Sequence, residues 1–201
     1  MRYPRARPAP TGRRARPSPG GPYHRRVIID ARALLLTGPV GIGKSTVAEA
    51  VGELLAAAAV PHAVIDLDEL HRRWPAPADD PFDLAMELRN LGALAGNYLG
   101  AGARRLVLAG VVESRADRRR YAEVLGTELT VCLLTADAAA IDRRLARRHG
   151  AEDTDGLRWH LARARELDGI FRRAGVEDFA VAADGPVTDV AKAVLAAAGW
   201  P

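Results

Sequence analysis

Cysteine, lysine and aromatic residues are all scarce in this chain. Its single cysteine, Cys132, sits in a strand-like apolar run and has no partner for an intrachain disulfide. A disulfide-stapled secreted scaffold is therefore excluded, and Cys132 reads as a small core residue in a reducing compartment. No apolar run approaches the roughly 20 residues of a membrane span, and the N-terminus lacks the apolar core of a signal peptide. A cytoplasmic protein without membrane contact is expected. The lysines number only two, Lys44 and Lys192, so a lysine inside a motif carries more weight here than in an average sequence.

The 201 residues are enough for one domain with a substantial core. A pI near 9.7 suggests a basic protein, but the basicity is local. Residues 1–26 hold eight arginines and no acid, leaving 21 basic against 25 acidic side chains in the rest. That tail is rich in Pro and Gly and has no periodic apolar face, so 1–26 is expected to be disordered and 27–201 to be the folded domain. The tail could grip nucleic acid through its charge. A dispensable extension is the simpler reading.

The nine residues Gly38-Pro39-Val40-Gly41-Ile42-Gly43-Lys44-Ser45-Thr46 fit G-x-x-x-x-G-K-[ST], with Thr46 directly after the pattern. With 19 glycines, two lysines and 11 serines plus threonines, such a match arises by accident in roughly one of a thousand chains of this composition. Its context fits as well. Ala33-Leu34-Leu35-Leu36 is a strand-like run just before it, and Val47, Val51, Leu54 and Leu55 fall on one helical face just after it. Backbone N–H groups of such a loop wrap a triphosphate, so Gly38, Gly41, Ile42, Gly43 and Thr46 are expected to cradle ATP. Lys44 would neutralise the β- and γ-phosphates, and Ser45 would contact Mg²⁺.

Beyond the loop, strand-like stretches at 33–37, 62–66, 104–111, 128–134 and 178–182 alternate with helical ones. The latter lie near 44–59, 81–100, 115–125, 137–148, 156–174 and 187–198. This alternation predicts an α/β three-layer P-loop NTPase fold, a five-stranded parallel sheet with helices on both faces. Ligands collect at the carboxyl ends of such strands. There stand Asp66 and Asp68, spaced to divide metal orientation and acceptor contact between them, and Glu113 with Arg115 after the third strand. The cluster Arg143, Arg144, Arg147, Arg148 precedes a break at Gly150, and an arginine closing over a transferred phosphoryl group stabilises its charge. Arg147 and Arg148 are the favoured lid candidates, with Arg163 and Arg165 behind them. Trp74, Phe82, Trp159 and His160 are candidate pocket linings. His71 shows no ligating partner at metal spacing, so no zinc site is proposed.

The order T-G-P-V-G-I-G-K-S-T, V-I-D-L-D-E-L-H-R and E-S-R-A-D-R resembles the small P-loop kinases of metabolites and antibiotics. Adenylylsulfate, gluconate and shikimate kinases and chloramphenicol phosphotransferase are of that group. The resemblance implies an ATP- and Mg²⁺-dependent phosphotransferase with a small-molecule acceptor and a short arginine-bearing lid, acting as a monomer or homodimer. It maps metal linkage onto Asp66, catalysis or acceptor contact onto Asp68, and acceptor binding onto Arg115. Two features depart from the adenylylsulfate pattern. Val112-Glu113-Ser114 replaces Ser-Pro-Tyr, and Leu67 stands where glycine is usual between the aspartates. An acid at 113 would repel a sulfate-bearing nucleotide. The rival readings are a nucleoside or nucleotide kinase, a kinase of nucleotide sugars, and a regulatory NTPase whose tail binds nucleic acid. No N-K-x-D element is present to read a guanine base.

Overall fold

A computed structural model of the chain describes residues 30–149 and 153–201. The expected tail at 1–26 and the break at Gly150 lie outside the described residues. Five strands, β1 (Arg32–Thr37), β2 (His62–Asp66), β3 (Arg105–Ala109), β4 (Glu128–Thr135) and β5 (Phe179–Ala182), form one sheet in the order β2-β3-β1-β4-β5. All four pairings are parallel. Between the strands run α1 (Lys44–Ala57), α2 (Leu84–Gly100), α3 (Arg115–Leu125), α4 (Ala138–His149) and α5 (Thr154–Ala174), and α6 (Val187–Ala197) follows the last. A short 3-10 turn, Leu67–Glu69, leaves the end of β2. The expected fold class is the one observed.

Strand β1 shows how the sequence makes two cores. Side chains alternate across a strand, so Leu34 and Leu36 face one side and Ala33 and Leu35 the other. All four are fully buried. Leu34 and Leu36 join Val47, Val51 and Leu55 of α1 and Val190 and Val194 of α6. Ala33 and Leu35 join Leu88 and Leu91 of α2, Tyr121 and Leu125 of α3, and Leu167 and Phe171 of α5. A strand apolar at four successive residues, 33–36, can only be satisfied between two helical layers. Each buried leucine contributes about 2 kcal/mol of transfer free energy.

The boundaries move where local chemistry overrides periodicity. β3 ends at Ala109, and the next residue, Gly110, passes directly under Leu67, whose side chain would lie 2.5 Å from any added Cβ. Helix α2 starts at Leu84 and not near 81. Asp83 is left-handed (φ 50°) and buried, and its carboxylate holds Arg73 at 2.5 and 3.0 Å. The Asp80 carboxylate accepts the free N–H groups of Leu84 and Ala85 at the new helix start. Ser114 caps α3, accepting from the Asp117 N–H and donating to the Asp117 carboxylate.

Candidate active site

The carboxyl ends of β1, β2 and β3 open into one cleft of about 870 Å³. Its phosphate-loop end is built by geometry that few side chains tolerate. Gly41 and Gly43 have φ of 83° and 100°, and a Cβ on Gly41 would lie 2.7 Å from the Leu145 side chain. Gly41, Gly43, Lys44, Ser45 and Thr46 line the cleft. Gly38 packs on the Leu134 carbonyl, and buried Ile42 offers its carbonyl to Arg144 Nη1 at 3.0 Å. Lys44 Nζ donates to the carbonyls of Gly38 (3.1 Å) and Pro39 (3.4 Å). Burial holds the Lys44 pKa down to about 8. The charges of Asp68 and Asp66 counter part of that cost, and Arg148 adds to it. The loop lysine, both aspartates and one lid arginine are thus within electrostatic reach of one another.

The remaining candidates divide between the cleft and elsewhere. Asp68 lines the cleft, while Asp66 accepts the Asp68 N–H at 3.1 Å and so fixes the turn. Arg148 lines it and Arg147 does not. Arg147 borders a separate depression with Arg143, Asp137 and Asp184. Arg144 touches both and bridges the Ile42 and Ala183 carbonyls. Arg115 is placed elsewhere: its Nε donates to the Ala174 carbonyl at the C-terminus of α5, and the residue does not line the cleft. Arg118 is likewise engaged, with Asp178 and the Val176 carbonyl. The cleft-facing residue of that segment is Asp117. Phe82, Trp159 and His160 line the cleft, whereas Trp74 is 93% exposed and lies outside it. Glu113 does not stand free. It pairs with Arg163, which also binds Glu166 at 2.8 Å.

A largely buried polar chain forms the far wall, and its pairings are not marked in the sequence. The Tyr121 hydroxyl donates to Glu87 Oε1, and His71 Nδ1 lies 3.0 Å from Glu87 Oε2. All three line the cleft. Burial pushes the Glu87 carboxyl up, opposed by its Tyr121 and His71 partners and reinforced by the nearby Asp68 charge. Burial and the Glu87 charge push Tyr121 up as well. A signal did exist, since Glu87 falls on the apolar stripe Leu84, Leu88, Leu91, Ala95 of α2. A carboxylate there must either find partners or serve a site.

A glycine-built loop with its lysine at a helix start, on an all-parallel 2-3-1-4-5 sheet, defines a P-loop domain. More particularly, the chain belongs to the AAA domain family, which matches residues 34–167. Among solved structures, the tunicamycin resistance protein of Deinococcus radiodurans superposes with a TM-score of 0.62 at 20% identity, covering 85% of this chain and 97% of that one. The APS kinase of Mycobacterium tuberculosis, solved in complex with AMPPNP and APS, gives 0.54 at 23%, covering 85% and 98%. A gluconokinase from Sinorhizobium meliloti gives 0.52 at 20%, covering 83% and 91%. These likenesses establish the shared fold. No curated protein sequence matches the chain significantly. No helix among the described residues is long and apolar enough to cross a membrane.

Proposed function

We propose that the protein is a Mg²⁺- and ATP-dependent kinase that transfers the γ-phosphoryl group to a hydroxyl of a small molecule. The observation that carries this reading is the single cleft in which the phosphate loop and Asp68 share space with an enclosed far wall, so donor and acceptor can meet. Gly41, Gly43 and Thr46 offer the backbone to the triphosphate, and Lys44 supplies the compact charge that meets the β- and γ-oxygens.

Mg²⁺ is ordinarily held by one or two protein oxygens together with phosphate oxygens and water. Ser45 in the cleft and Asp66 beside Lys44 fit that donor set, and no group of three or more ligating side chains competes for it among the described residues. When bound, the ion would neutralise charge developing on the β- and γ-oxygens. Asp68 orients the acceptor hydroxyl and takes its proton as the new P–O bond forms and the β–γ bridging bond breaks. Arg148, which lines the same cleft as Lys44, closes over the equatorial oxygens. The acceptor is the particular partner to be found, and a role for the basic tail toward nucleic acid is the rival.

Turnover of Lys44→Ala tests the reading, with a metabolite and antibiotic panel as acceptors and phosphorylated product as readout. A loss of 10²-fold or more with an unchanged circular-dichroism spectrum is expected. Unchanged turnover in that variant, or ATP hydrolysis stimulated by nucleic acid with no phosphorylated product, overturns it.

A further inference from the structure

Resting on the kinase reading, the acceptor end of the cleft carries information about the acceptor's charge. An anionic acceptor is best held by a cation whose charge is not already matched, and Arg163 is the guanidinium on that wall. Its Nη2 donates to Glu113 and its Nη1 to Glu166 at 2.8 Å. One face of the group lies over the Phe82 ring, 4.6 Å from the centroid, and the residue is buried. Two carboxylates already match its single charge and one face is covered, so it offers an entering anion little uncompensated charge.

The other cations of the cleft lie toward the nucleotide. Lys44 bonds the loop carbonyls, Arg144 bridges Ile42 and Ala183, and Arg148 acts on Lys44. His71 faces Glu87. An anion entering the acceptor end would instead meet Asp68, Glu87 and Asp117, each an oxygen acceptor that repels it and accepts readily from O–H or N–H. Phe82 and Trp159, about half exposed at the cleft, add apolar faces suited to a ring.

We infer that the acceptor is a ring-bearing alcohol without an anionic group, either uncharged or carrying an ammonium. The charge that excludes anions is therefore not that of Glu113 alone, as its sequence position suggests. Glu113 acts by occupying Arg163.

The test uses the full chain saturated with a non-hydrolysable ATP analogue. Melting temperature is followed with matched ring alcohols: methyl glucoside, glucosamine and glucuronate, and uridine against uridine monophosphate. Product formation from ATP is followed in parallel. The neutral or amine members are expected to stabilise the protein and to be phosphorylated at least tenfold faster than their anionic counterparts. The ratio between glucoside and glucosamine separates the uncharged from the ammonium form. Glu113→Gln, which removes one of the two negative charges on Arg163, is expected to raise binding of the anionic members at least threefold. An anionic member that binds as well as its counterpart overturns the inference, as does a panel in which no neutral or amine member shifts the melting temperature. The kinase reading is checked separately, because the ATP analogue must stabilise the wild type more than Lys44→Ala whatever the acceptor.

Discussion

Replacing Lys44 by methionine keeps the length and apolar stem of the side chain while removing its charge, and this separates the lysine's functional worth from its structural cost. The folded pKa of about 8 lies below the ordinary value of 10.5. The unfolded chain therefore binds more protons than the native one between those limits, and stability must rise with pH across them. At pH 7 the charged lysine costs the empty fold about 3 kcal/mol, and at pH 10 about 1 kcal/mol, at 1.36 kcal/mol per pKa unit. Wild-type stability relative to Lys44→Met should thus climb by roughly 2–3 kcal/mol from pH 7 to pH 10, about 5–10 °C in melting temperature for a chain this size. Thermal melts of both proteins without nucleotide, at unit steps of pH, read the difference directly. Taking the difference cancels groups common to both, such as Cys132, whose thiol burial pushes up to about 12. A difference that stays flat over this range would refute the claim that the loop holds a desolvated charge. Bound triphosphate supplies the missing counter-charge, so the climb is expected to vanish when an ATP analogue is present.

Arg148→Ala is expected to lower turnover at least tenfold, whereas Arg147→Ala changes it less than threefold; steady-state kinetics that reversed this order would remove Arg148 from the transition-state role. Arg118→Ala breaks the tie from α3 to Asp178 and the Val176 carbonyl and should cost about 2 kcal/mol without moving the acceptor KM, as denaturant melts and kinetics together would show. Asp68→Asn should reduce turnover by 10² or more at pH 7. It should also weaken ATP binding more at pH 8.5 than at pH 7, because the lost Asp68 charge lets the Lys44 pKa fall further; calorimetric affinities that moved equally at both pH values would contradict that coupling.

The phosphate loop was legible because its chemistry is contiguous: nine residues contain the turn, the charge and the hydroxyl. The five strands were legible because apolar runs bounded by helices leave one arrangement that buries both faces. The arginines are harder to place, because adjacency in sequence is not adjacency on a helix. At 100° per residue, Arg144 and Arg148 share one face of α4, and Arg143 with Arg147 another, so the pair that borders the cleft is 144/148. Arg115 and Asp117 likewise lie on opposite sides of α3, and it is Asp117, one turn before Tyr121, that faces the cleft. Residues 70–83 resisted reading for a different reason. Arg73 with Asp83 and Asn90 with the Leu70 carbonyl are pairings that no local pattern marks.

The two ends of the cleft follow one physical logic with opposite sign. At the loop, a cation is driven into low dielectric and held there by carboxylates that offset only part of its desolvation. At the far wall, a carboxylate is driven into the same medium and held by a tyrosine hydroxyl and a histidine that again offset only part of it. Neither group is there to stabilise the empty fold, since apolar residues of equal volume would do so better. Each becomes satisfied by what enters beside it, an anion at Lys44 and hydrogen-bond donors at Glu87. The residual imbalance at the loop thus argues for a triphosphate. By the same reasoning, that at the wall argues for an acceptor rich in hydroxyl or amino hydrogens and against one that brings a second negative charge.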